Sequence, residues 1–116
     1  MKTILITGAS EGIGAEMALQ LARAHGSDAA LVLAARSADR LEGVAQTCRA
    51  AHAQVLVVPT DVSIESQCRA LIDASVQAFG RIDALINNAG MSAQALFSEV
   101  SAADLPAFKE QVGAVA

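Results

Sequence analysis

Short apolar runs alternate with longer segments of helical period along the chain. Lys2–Thr7 gathers Ile4, Leu5 and Ile6 in a run too short for a helix and rich in β-branched side chains, which predicts a strand. A glycine-rich turn through Gly14 follows. Ala15–His25 then carries a helical period closed by Gly26, at the place where glycine most often ends a helix. Ala30–Ala35 predicts a second strand. Ser37 is placed to cap a second helix whose apolar face is Leu41, Val44, Ala45 and Cys48. Gln54–Pro59 predicts a third strand, and Ser63 a cap for a third helix, with Glu65 in the first turn where the helix dipole favours a carboxylate. Ile64, Cys68, Leu71, Ile72, Ser75, Val76 and Phe79 share one face of that helix, and Gly80 ends it. Ile82–Asn87 predicts a fourth strand, 88–101 a loop, and a last helix starts near Ala102.

Strands that alternate with helices imply parallel pairing through right-handed crossovers, hence an α/β fold with helices on both faces of one sheet. No linker or repeat interrupts the pattern, so residues 1–116 are expected to form one domain. Composition adds two constraints. With 53% hydrophobic and 17% charged residues the chain is not a disordered one, and with three Phe, no Trp and no Tyr its core must be aliphatic. A net charge of −4 speaks against nucleic acid or an anionic membrane surface as partner. The apolar runs reach only strand length, so no membrane crossing is expected, and the N-terminus enters a strand pattern with no signal-like region, which makes the cytoplasm the expected location. Cys48 and Cys68 sit in separate helical patterns without metal spacing; they read as small core residues, a disulfide being the alternative.

Candidate chemistry begins in the turn Thr7-Gly8-Ala9-Ser10-Glu11-Gly12-Ile13-Gly14. A phosphate at a strand-to-helix turn meets backbone N–H groups and the positive end of the helix dipole. Gly8 allows the sharp turn, Gly12 lets a pyrophosphate approach the backbone, and Gly14 lets helix and strand pack closely. Ser10 can add a donor, and Glu11 and Ile13 share the loop. The spacing is G-x-x-x-G-x-G, and a turn that needs its glycines for sterics alone is the competing reading; position after the first strand of an alternating pattern favours the phosphate.

On these residues the chain resembles the short-chain dehydrogenase/reductase family, whose nucleotide turn reads T-G-x-x-x-G-x-G. Asp61-Val62 after the third strand and Asn87-Asn88-Ala89-Gly90 at the end of the fourth match two further family motifs. The resemblance implies a Rossmann-type parallel sheet in order 3-2-1-4, truncated after the fourth strand and its helix, since the match corresponds to about the first half of a family domain. It implies that Asp61 holds the adenine ring, that Asn87 ties strands together, and that the backbone of Asn88, Ala89 and Gly90 lies along the cofactor ribose. The alternative for Asp61 is a turn or capping carboxylate.

The residue after the second strand decides which dinucleotide suits the site. An acid there binds a free ribose 2′-hydroxyl, a cation a 2′-phosphate. Arg36 stands there, followed by the hydroxyl of Ser37, while the nearest acid, Asp39, falls inside the next helix. A guanidinium fork matches a phosphate, so NADP(H) is expected over NAD(H).

The resemblance also implies a reaction, hydride exchange with a carbonyl carbon, using a Tyr acid/base, a Lys four residues on, a carbonyl-orienting Ser and a relay Asn. These 116 residues contain no Tyr, and Gln111-Val112-Gly113 departs from the family's V-N-x-x-G. His25 and His52 are placed at the opposite end of the sheet, and Ser92 and Lys109 complete no catalytic set. No catalytic residue and no metal site is assigned. The expected function is the NADP(H)-binding portion of an oxidoreductase acting on a carbonyl/alcohol pair. The alternatives are a nucleotide-binding or regulatory module without catalysis and a degenerate fragment. Partners are expected to be the dinucleotide and, through the apolar fourth-strand edge with Asp83 as its only charge, a second copy or a complementing chain.

Overall fold

The computed structural model describes residues 2–88. It contains β1 (Lys2–Thr7), α1 (Gly12–His25), β2 (Ala29–Ala35), α2 (Ala38–Ala50), β3 (Gln54–Pro59), α3 (Glu65–Phe79) and β4 (Ala84–Asn87), with a short 3-10 turn at Gly26–Asp28. The strands form one parallel sheet in the order β3-β2-β1-β4. Thr7 is level with both Ala34 and Asn87, and Ala35 with Pro59, so all four strands end along one edge.

Alternation along β1 and β2 sends side chains to two faces, and each face has its own helices. Leu5, Val32 and Ala34 pack with Cys68, Leu71 and Ile72 of α3, joined by Ile82 and Leu85. Ile6, Leu31 and Leu33 pack with Ala18 and Ala22 of α1 and with Leu41, Ala45 and Cys48 of α2. The buried positions of α1 are Gly14, Ala18 and Ala22, four residues apart. Their small size brings the helix axis close to the sheet, and that proximity sets the geometry of the turn after β1.

Four boundaries differ from the sequence reading, the smallest being β2, which starts at Ala29 and not Ala30. α1 starts at Gly12 and not Ala15, the Ala15 amide closing its first turn on the Glu11 carbonyl at 3.4 Å. Ser63 is not the cap of α3. Ile64 takes that position, 42% exposed and without a side-chain cap, because the Asp61 carboxylate captures both the Ser63 amide and its hydroxyl. β4 starts at Ala84 and not Ile82, whose side chain turns into the core. Ahead of β4, Asp83 replaces ladder pairing with a two-way clamp on β1: its amide donates to the Thr3 carbonyl at 2.9 Å and its carboxylate accepts from the Thr3 amide at 2.8 Å. Among the described residues β4 pairs with β1 alone. The loop expected beyond Asn88 and the helix expected from Ala102 lie outside the described residues.

The Asp83 clamp gives the fold an acid-sensitive contact. Burial pushes the carboxyl pKa up, but the Thr3 amide, the hydrogen-bonded Arg81 and the charge of Lys2 outweigh it and hold the group below its ordinary value. A carboxyl depressed in the folded state contributes stability above its unfolded value of about 3.9 and loses it as pH falls through the folded value. Asp83→Asn is expected to cost about 1.5–3 kcal/mol at neutral pH, the range for a hydrogen bond to a charged group. It should also flatten the acid limb of the stability curve. Urea midpoints measured from neutral pH downward check this; an unchanged acid slope in the variant would show that the clamp is not the titrating contact.

Candidate functional site

Because the strands end level, everything that follows β1, β2 and β3 meets at one edge of the sheet, around a cleft of about 460 Å³. The turn after β1 supplies Gly8, Ser10 and Glu11 to its lining. The end of β2 supplies Arg36 and Ser37, and the end of β3 Asp61, Val62 and Ser63. Seven of the residues singled out in the sequence therefore share one cleft: Gly8, Ser10, Glu11, Arg36, Ser37, Asp61 and Val62.

The turn is held from beneath. The Ala9 amide donates to the Ala34 carbonyl at 3.2 Å, and the Asn88 side-chain amide to the Gly8 carbonyl at 3.3 Å. Gly8 and Gly12 adopt φ of +65° and +61°, the left-handed region where side chains are strained. Their surroundings differ. A Cβ on Gly14 would stand 2.2 Å from the Gly8 oxygen and 2.8 Å from Asn88 Nδ2, whereas one on Gly12 would meet nothing within 4 Å. Gly14 is thus a packing glycine, while Gly12 faces open space at the start of α1. No side chain caps that helix. A helix N-terminus without a side-chain cap, beside open space and a positive-φ turn, fits an anionic phosphate group.

Around the cleft the charges are mixed. Asp61 Oδ1 accepts from the Ser63 hydroxyl at 2.6 Å and the Ser63 amide at 3.0 Å, and the Asp61 amide donates to Gln67 at 2.7 Å. The Ser63 hydroxyl and amide hold this carboxyl below its ordinary value against desolvation, with the charge of Arg36 adding the smallest contribution. Asp61 is therefore a turn-forming carboxylate as well as a cleft residue. Ser37 caps α2 by accepting from the Arg40 amide at 3.3 Å, as its position predicts, and Asp39 is not on the cleft. Arg40 also lines it, and its guanidinium pairs with Glu11 at 2.9 Å. Sequence reading missed Arg40, although its place three residues after the Ser37 cap puts it in the first turn of α2, on the same cleft as Arg36.

Other predicted residues lie around the cleft rather than in it. Ile13 is 70% exposed on the first turn of α1, and Gly14 is buried. Asn87 Oδ1 accepts from Thr7 Oγ1 at 3.0 Å and so links β4 to β1, while its buried Nδ2 has no hydrogen-bond partner among the described residues. Ala89 and Gly90 lie outside the described residues, as do Ser92 and Lys109. His25 closes α1 and lines a second cleft, of about 340 Å³, with Lys2, Ile4, Asp28 and Ala29 at the opposite end of the strands. His52 lies in the turn before β3 with φ +74°. Cys48 and Cys68 are free and fully buried, and burial pushes both thiols up, which keeps them unreactive. Among the described residues no group of His, Cys, Asp and Glu could hold a metal, and no helix is long and apolar enough to cross a membrane.

Known proteins share this arrangement. A family model for short chain dehydrogenases matches residues 2–110. An 11-beta-hydroxysteroid dehydrogenase-like protein of Arabidopsis thaliana is 44% identical over 99 residues, covering 84% of this chain and 31% of that protein. An 11-beta-hydroxysteroid dehydrogenase of Pinus massoniana is 42% identical over 101 residues, covering 86% of this chain and 28% of its own length. The chain thus spans about a third of the curated relatives it matches. The crystal structure of a hydroxysteroid dehydrogenase from Escherichia coli superposes with a TM-score of 0.79 at 26% identity, over 88% of this chain and 51% of that one. With the family model matching residues 2–110 of this chain, a parallel sheet in the order β3-β2-β1-β4 and a glycine turn opening on the strand-end cleft, the chain belongs to the short-chain dehydrogenase family, whose members are NAD(P)-using oxidoreductases.

Proposed function

We propose that this chain is the NADP(H)-binding portion of an oxidoreductase acting on a carbonyl/alcohol pair. The observation that carries the proposal is the shared cleft, in which the glycine turn, Arg36 and Asp61 converge from the ends of three parallel strands. Open α/β sheets bind ligands at that place. In this reading the α1 N-terminus, Gly12 and Ser10 receive the pyrophosphate, Arg36 and Ser37 the 2′-phosphate, and Asp61 with Val62 the adenine. Asn88, directly after β4, is assigned to the ribose. When bound, the nicotinamide supplies the hydride. The chain's own residues bind and orient it.

Proton transfer is a separate requirement. General acid–base catalysis typically contributes about 10²–10⁴-fold, and these 116 residues hold no Tyr to provide it. A polypeptide of these residues is expected to bind NADPH yet oxidise none of it with a panel of aldehydes and ketones at any pH. Nucleotide titration and cofactor absorbance check the two halves separately. Failure to bind would remove the cleft assignment, and clear turnover by pure protein would reveal an acid that the family pattern does not include. The buried Asn87 Nδ2 on β4, the outermost strand among the described residues, supports a further segment or second copy beside β4 that brings it an acceptor.

A further inference from the structure

We propose that Arg40 is a positioning residue that holds the Glu11 carboxylate away from the N-terminus of α1 and so keeps that helix end open for the nucleotide phosphates; the proposal rests on the nucleotide reading above. Glu11 occupies the N-cap of α1 with the extended backbone of a capping residue (φ −162°, ψ 171°), yet its side chain caps nothing there. A carboxylate is the natural occupant of a helix N-terminus, because the first amides and the dipole both favour an anion. Glu11 instead reaches across the cleft to Arg40, 29 residues further along the chain, at 2.9 Å. Arg40 is itself fixed in the first turn of α2, where its amide is bound by the Ser37 hydroxyl.

Released from this pair, Glu11 would act against a phosphate in two ways. It would place an uncompensated negative charge on the phosphate approach, and it could fold back onto the amides that the phosphate needs. Paired, its charge is cancelled and its side chain is drawn aside. Both partners are largely exposed, at 62% and 72%, so the fold does not depend on them. Arg36, on the same cleft, remains for the 2′-phosphate.

The proposal separates Arg40 from a direct ligand of the 2′-phosphate, because the pyrophosphate is common to NADPH, NADH and ADP. Arg40→Gln is expected to weaken all three alike by about two- to fivefold, the size of a charge effect at a helix end. Arg40→Lys should retain wild-type affinity, and the double variant Glu11→Gln/Arg40→Gln should recover it. Without nucleotide, hydrogen exchange at the Ile13 and Gly14 amides should slow in Arg40→Gln and return to wild-type rates in the double variant. Unchanged affinity in Arg40→Gln, a double variant as weak as the single one, or a loss confined to NADPH would each overturn the proposal. A wild-type chain that binds none of the three nucleotides would overturn the nucleotide reading itself.

Discussion

Gly14→Ala is expected to destabilise the chain by about 1–3 kcal/mol or more, the range for overpacking a tight contact, and to abolish nucleotide binding. The added Cβ would stand 2.2 Å from the Gly8 carbonyl oxygen, closer than any real contact, and the obstacle is backbone rather than a side chain that could swing away. Relief requires α1 to lift from the turn after β1. That movement also breaks the Asn88 bond to Gly8 and strips Ala18 and Ala22 of their fit against Ile6, Leu31 and Leu33. Since small domains are stable by only about 5–15 kcal/mol, the loss is large on the scale of the whole fold. Gly43→Ala provides the opposite sign. Gly43 lies inside α2 with nothing within 4 Å of its would-be Cβ, so alanine there should add about 0.5–1 kcal/mol through helix propensity alone. Urea unfolding of the two variants decides the matter. A Gly14→Ala midpoint equal to wild type would mean that α1 is not held against the turn as described.

The two glycines also show where sequence reasoning reaches and where it stops. That Gly12 and Gly14 serve different purposes could be argued from their spacing. That one faces open space and the other a carbonyl oxygen depends on how closely α1 packs, which its small residues at 14, 18 and 22 control. The first three strands were legible because their apolar runs are buried or half-buried along most of their length, and the Ser37 cap because capping is settled within one turn of chain. Ser63 misled because Asp61, two residues earlier, binds its amide and hydroxyl in a turn and leaves Ile64 at the cap position. The clamp between Asp83 and Thr3 spans 80 residues, and the pair between Glu11 and Arg40 spans 29. Neither leaves a periodic mark, since each is created by strands coming side by side. The cleft itself was legible as a place, the common end of the strands, but its balance of two arginines against two carboxylates was not.

That balance bears on the dinucleotide preference. Arg36→Ala is expected to reduce the preference for NADPH over NADH by about tenfold, with affinity for NADH nearly unchanged. The figure corresponds to about 1.5 kcal/mol, the low end for a charged hydrogen bond, chosen because Arg36 is exposed and solvent competes for its guanidinium. No other residue of the cleft offers the same selectivity. Arg40 is paired with Glu11, and Asp61 has one oxygen committed to Ser63. Arg36→Lys should recover only part of the preference, because an ammonium keeps the charge but loses the two parallel donors of the guanidinium. Ser63 holds the Asp61 carboxyl low and Arg36 adds the smallest of the contributions, so removing Arg36 should shift that carboxyl only slightly toward its ordinary value. Titration of both nucleotides into wild type and the two variants, with the Asp61 carboxyl followed by NMR, tests the assignment. A wild type that favours NADH would overturn the NADP(H) assignment, and an Arg36→Ala variant that keeps its preference would move the 2′-phosphate contact elsewhere on the cleft.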